Sequence, residues 1–77
     1  MANPATHKII SAKDADNGGT VYLTSCDAWT PDVAIAELLE KDDQGWRLAF
    51  ANRLREVVNP NLVNARENTL GLAELAA

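Results

Sequence analysis

Cys26 and His7 are the only cysteine and the only histidine in the chain. A thiol and an imidazole within hydrogen-bond reach make a nucleophile and its base, provided a third group orients the base and an oxyanion site lies alongside. Cys26 stands four residues before Thr30, which reads as a helix cap. A helix N-terminus nearby favours a thiolate. His7 would come beside it if the first strand runs past the second. No orienting group and no oxyanion site can be assigned, so the plain reading of Cys26 is a loop thiol. Its chemical alternative is a redox-responsive thiol, or the nucleophile of a small enzyme.

The stretch "DADNGGTVYLTS", residues 14–25, can be laid onto a calcium loop. Asp14 and Asp16 take the first and third ligand positions and Gly19 the sixth. The fifth position is then Gly18 and the twelfth is Ser25, where the loop needs a bidentate glutamate. Turn chemistry explains every residue instead: Asp and Asn bond their own backbone, and glycine supplies positive φ. Asn17, Gly18 and Gly19 are thus turn residues, with at least one glycine at φ > 0. The glycine pair is not a phosphate cradle, because no Gly-Lys-Ser/Thr run opens a helix. The remaining carboxylates, Asp27, Asp32, Glu37, Glu40, Asp42 and Asp43, read as caps, dipole partners and a solvated face rather than an acid–base pair.

The elements that must position these residues follow from pattern. "HKIISAK" and "TVYLT" flank the turn cluster and form an N-terminal β-hairpin. "TPDVAIAELLEK" opens a helix with Thr30 as cap, Pro31 at the first position and Asp32 at the positive end of the dipole. Ile35, Leu38 and Leu39 form its apolar stripe. Glu37 and Lys41 form an i,i+4 pair. A second helix over about residues 44–57 is capped by Asp42 or Asp43. It aligns Trp46, Ala49, Phe50, Leu54 and Val57 on one face, with Arg47, Asn52 and Arg55 elsewhere. Pro60 stops it. "NLVNAR", residues 61–66, reads as a third short strand, and "TLGLAELAA" as a weak helix or ordered tail. The order is β-β-α-α-β, an α+β class.

Seventy-seven residues make one domain, 1–77, with 1–6 a frayed start and 67–77 a loosely specified tail. A chain this short buries only about 60% of its unfolded surface. Its residues are 47% hydrophobic, yet only two Trp, one Tyr and one Phe are present. One cysteine excludes an internal disulfide, and no Cys/His spacing fits zinc. Oligomerisation is the staple that remains. The net charge of −4, with seven basic residues scattered against eleven acidic ones, lacks the basic stripe of a nucleic-acid binder. No signal-peptide core and no membrane-length apolar run occurs, and a cytoplasmic protein fits.

"SAKDADNGGTVYLT", the downstream tryptophan with "A.AELLE", and "VVNPNLV" together resemble a small bacterial family of unknown function, often encoded beside assimilatory sulfite reductase. The resemblance spans about residues 7–65, and "ENTLGLAELAA" departs from it. It implies a cytoplasmic protein, a link to sulfur assimilation and a domain-swapped dimer. It implies no catalytic residue and no cofactor.

The sequence therefore predicts an α+β domain: a hairpin, two helices and a third strand after Asn59-Pro60. It predicts a homodimer, with Gly45 or Asn59-Pro60 as hinge if an element is exchanged. Trp46, read as core or dimer core, Phe50 and Leu54 are the interface candidates, joined by Trp29, whose alternative is a staple onto Ala34. The predicted function is a non-enzymatic interaction or accessory protein with a partner in sulfite reduction. The alternatives are a Cys26 redox protein or enzyme and, against the charge, a nucleic-acid-binding regulator.

Overall fold

The computed structural model describes residues 7–76, and the frayed start predicted at residues 1–6 lies outside them. The chain forms β1 (His7–Asp14), β2 (Thr20–Leu23), β3 (Trp29–Thr30), a single 3₁₀ turn (Val33–Ile35), α1 (Lys41–Ala51), β4 (Val57–Glu67) and β5 (Ala73–Leu75). The strands make one curled antiparallel sheet in the order β3-β2-β1-β4-β5. The predicted pair of helices over three strands is overturned: the protein is mostly β, with one helix.

β1 is the central strand and is buried on both sides. Ile9 and Ile10 are adjacent, so their side chains point to opposite faces, and they are 0% and 1% exposed. Ile9 packs with Ala36, Ala65 and Ala73, flanked by Tyr22, Val33, Leu38 and Val63. Ile10 packs with Leu23, Leu39 and Ala51, flanked by Trp29, Phe50, Leu54 and Leu62. One face is thus covered by the 3₁₀ turn and the segment after it, the other by α1 and Trp29.

The β1–β2 register is regular, from Ser11↔Tyr22 to Lys13↔Thr20. The β1–β4 register is not. Ser11 faces Asn61 but Lys13 faces Val58, so Asn59 and Pro60 together oppose Ala12. This is a β-bulge. Asn59 takes φ 54, a left-handed conformation that Asn tolerates, and a bulge is where a strand interior accepts a proline with no N–H to donate. The predicted strand at residues 61–66 therefore starts earlier, at Val57, and Pro60 lies within it rather than ending a helix. The tail is ordered and is not a helix. It turns at Asn68, whose Oδ1 accepts from the N–H of Leu70 at 2.9 Å and of Leu72 at 3.0 Å, and then pairs as β5 with β4.

The first predicted helix is corrected most. Asp32 does cap a turn, with Oδ1 accepting from Ala34 N–H at 3.0 Å, but Ala36 is already extended at φ −66, ψ 146. Leu39 N–H donates to Lys8 C=O at 2.7 Å and Lys8 N–H to Leu39 C=O at 3.1 Å, while Glu37 N–H donates to Leu23 C=O at 3.0 Å. The backbone of residues 37–39 takes its partners from β1 and β2 instead of from itself. Glu37 accordingly pairs with Arg47, not with Lys41. The second helix runs 41–51 rather than 44–57, with Glu40 at the cap position and Asp42 and Asp43 in its first turn. Asn52 ends it by returning its side-chain Nδ2 to Leu48 C=O at 3.0 Å. Gly45 lies inside this helix and Asn59-Pro60 inside β4, so neither proposed hinge is a break between elements.

Candidate functional site

Arg47 is the one buried charged side chain among the described residues, 5% exposed, although the sequence places it off the apolar stripe. α1 directs it inward. Its Nε donates to Glu37 Oε1 at 2.8 Å, Nη1 to Asp27 Oδ1 at 2.8 Å and Nη2 to Thr24 C=O at 3.2 Å. The guanidinium carbon lies 5.1 Å from the Phe50 ring centroid and 5.4 Å from that of Trp46. The planar fork with fixed donors suits arginine and not lysine. Asp27 and Glu37 keep half and a third of their side chains in water, so they lose little hydration by pairing. Arg47 is a strut joining the 24–28 turn, the 36–39 segment and α1. Only its flanking aromatics, Trp46 and Phe50, hinted at this in the sequence.

The 24–28 turn carries Cys26. Thr24 organises it: Oγ1 accepts from Cys26 N–H at 3.3 Å and Ala28 N–H at 3.1 Å, and Thr24 N–H donates to Ala28 C=O at 2.8 Å. Asp27 takes φ 63 and aims its carboxylate at Arg47. Cys26 is exposed at the tip of this β2–β3 connection, and not at the start of a helix. His7 stands at the start of β1, with Nε2 4.0 Å from Glu40 Oε1. The pairing that would bring His7 beside Cys26 is interrupted, because Lys8 pairs with Leu39 and Leu23 C=O is taken by Glu37. The Cys26 turn is closed by Thr24, and His7 stands beside Glu40.

The Asn17-Gly18-Gly19 turn closes the first hairpin. Asp14 Oδ1 accepts from the N–H of Asp16 at 2.8 Å and of Asn17 at 3.3 Å, and Asn17 Oδ1 accepts from Gly19 N–H at 2.7 Å. Gly18 takes φ 73. The carboxylate that the calcium reading would use first is engaged in turn hydrogen bonds. Among the described residues no cluster of three or more His, Cys, Asp or Glu side chains is placed to hold a metal.

The four interface candidates separate. Phe50 and Leu54 pack against the Ile10 cluster of their own sheet. Trp29 packs on the same face, bridging that cluster and the one formed by Ala12, Val21 and Val57. Its indole Nε1 is buried without a hydrogen-bond partner. Trp46 alone projects outward, 58% exposed. Its Nε1 donates to Asp43 Oδ1 at 3.0 Å, and Arg47 stacks on the ring, so the exposed indole is held in one orientation. The predicted stripe was misphased by one residue, and the outer face of α1 carries Asp42, Gly45, Trp46, Ala49, Asn52 and Arg53, all exposed. A second exposed apolar group, Leu70, Leu72 and Leu75, surrounds β5, with Ile35 on the 3₁₀ turn packed against that strand.

No helix is long and apolar enough to cross a membrane among the described residues. No curated protein and no solved structure matches the chain. A family model does match, over residues 8–76, and so takes in the tail and β5 that stood apart from the resemblance. The chain belongs to DUF2849, a family of proteins of unknown function.

Proposed function

We propose that this protein is a non-enzymatic interaction module that docks through the outer face of α1, with Trp46 at the centre of the contact. The observation that carries this is the exposed indole fixed between Asp43 and Arg47. A large amphipathic side chain already ordered in the free protein loses little entropy on binding, which is the character of an interface anchor. The setting is the cytoplasm. The resemblance to a family encoded beside assimilatory sulfite reductase directs the search for partners to sulfite reduction. A photo-cross-linking amino acid placed at Ala49 in cells is the test, with the same group at Asn17 as control. Adducts heavier than the chain from Ala49 and none from Asn17 are expected; equal labelling at both positions would remove the reading.

The exposed thiol of Cys26 favours one further reading, a redox-responsive turn. Mass spectrometry after mild peroxide tests it through the fraction of Cys26 oxidised at concentrations that leave the methionine intact. Cys26→Ser is expected to keep the fold and the Ala49 cross-links; their loss in a folded variant would give the thiol the leading role.

A further inference from the structure

We infer that the outer face of α1 pairs with the same face of a second copy of this chain, antiparallel, about a twofold axis beside the middle of the helix. This rests on the reading of Trp46 as an interaction surface and names its occupant.

Lys41 and Asp43 are exposed at the start of α1, and the remaining exposed positions of the helix and its C-terminal turn are Asp42, Gly45, Trp46, Ala49, Asn52 and Arg53. Their spacing of i, i+3, i+4, i+7, i+10 and i+11 lays them in one stripe along the helix. Its centre is one large residue beside two small ones, and its ends carry opposite charge. The side chains of Asp42 and Arg53 form no hydrogen bond or ion pair with other described residues. A twofold axis between Arg47 and Leu48 sets Trp46 over Ala49 of the second copy, beside Gly45, where the missing side chains admit an indole. The same axis, with no further adjustment, sets Asp42 against Arg53 of the second copy, and Arg53 against its Asp42. A parallel pairing would set like charges together. The stripe is thus complementary to its own antiparallel image in both shape and charge, which is the requirement of an isologous contact. Gly45 has nothing within 4 Å of a built Cβ, so its outer side is open to a neighbour. An eleven-residue helix is only roughly 16 Å long. The contact therefore belongs among weak, reversible interfaces, below the ~1,600 Å² of a standard one.

Sedimentation equilibrium of the full chain, from micromolar to near-millimolar concentration, tests this with four variants. The native chain should pass from the 8.3 kDa monomer to twice that mass. Trp46→Ala should weaken association by about tenfold or more. Asp42→Arg and Arg53→Asp should each weaken it by about tenfold, because each places two like-charge contacts across the axis. The double variant Asp42→Arg/Arg53→Asp should recover to within about threefold of the native chain. Circular dichroism monitors folding. The double variant puts the wrong sign at both ends of the helix dipole, so its recovery cannot come from a more stable helix. A chain that stays monomeric throughout overturns the inference, and if Ala49 still cross-links, the docking face stands with a different occupant. A dimer unaffected by all four variants also overturns it and assigns the contact to the β5 edge with Leu70, Leu72 and Leu75.

Discussion

Residues 30–39 and residues 40–51 are neighbours in sequence, and both begin with residues that start helices. The first has Thr30, Pro31 and Asp32; the second has two aspartates in its first turn. The first closes one 3₁₀ turn and then extends, and the second runs as helix from Lys41 to Ala51. On propensity the first has the stronger cap, since the Asp32 side chain accepts a hydrogen bond from its own turn while the Glu40 side chain makes none. What differs is the supply of backbone partners. Lys8 and Leu23 present free groups at the end of the hairpin, and residues 37–39 meet them. Once those groups are taken, residues 41–51 have no strand to join and satisfy their backbone internally. The difference teaches that a capping signal nominates a helix, and neighbouring unsatisfied backbone decides whether it propagates.

Substitutions that attack one segment and spare the other sharpen that contrast. Leu39→Ala should have the largest effect. Leu39 is 3% exposed between Ile10, Leu23 and Ala51, and its truncation should cost about 3 kcal/mol, read from urea unfolding. A loss under about 1 kcal/mol would mean that the extended segment is an appendage of the core. Arg47→Ala comes next, at about 2–3 kcal/mol, because it empties the space of the buried stem as well as removing the donor to Thr24 C=O and two carboxylates. Arg47→Met keeps the buried stem and should recover more than half of that loss. Equal losses in the two variants would place the energy in the ion pairs rather than the packing.

Gly45→Ala should raise stability by about 0.5–1 kcal/mol, since the position is helical, exposed and sterically open. A lower melting temperature at a concentration where the chain is monomeric would contradict the helical assignment there. Asp32→Ala should have the smallest effect, a loss of about 0.5 kcal/mol, at the low end for a cap because the turn it caps does not continue. A cost near 2 kcal/mol would show that the 3₁₀ turn is held by its cap and not by the face of the sheet beneath it.

The first hairpin was legible because its signals are local. Asp14 and Asn17 bond to backbone within three residues, and Gly18 supplies the positive φ. The 35–39 stretch was not, because "IAELL" satisfies two periods at once. Ile35, Leu38 and Leu39 make a helical stripe, while Ala36 and Leu38 on one side with Glu37 and Leu39 on the other make an alternation. The structure uses the alternation, with Ala36 and Leu38 in the Ile9 cluster and Leu39 in the Ile10 cluster. The phase of α1 was misread for a related reason. Trp46 has the hydrophobicity of a core residue and Arg47 that of a surface one, yet Arg47 finds Glu37 and Asp27 inside and Trp46 is turned out.

By itself the sequence determined what short-range chemistry determines: the turn at Asn17-Gly18-Gly19, the strands on either side of it, the lack of a disulfide, and a charge balance unlike that of a nucleic-acid binder. The tertiary structure decided everything that depends on partners far along the chain. It made residues 36–39 extended because Lys8 and Leu23 were there to bond them. It let β4 run through Pro60 because a bulge against Ala12 excuses the missing donor. It turned the tail into an edge strand because β4 offered a free side. It buried Arg47 because two carboxylates and a carbonyl, ten to twenty-three residues away, converge on one guanidinium. Each of these is a hydrogen-bonding demand met across the fold, and no window of neighbouring residues contains both halves of such a bond.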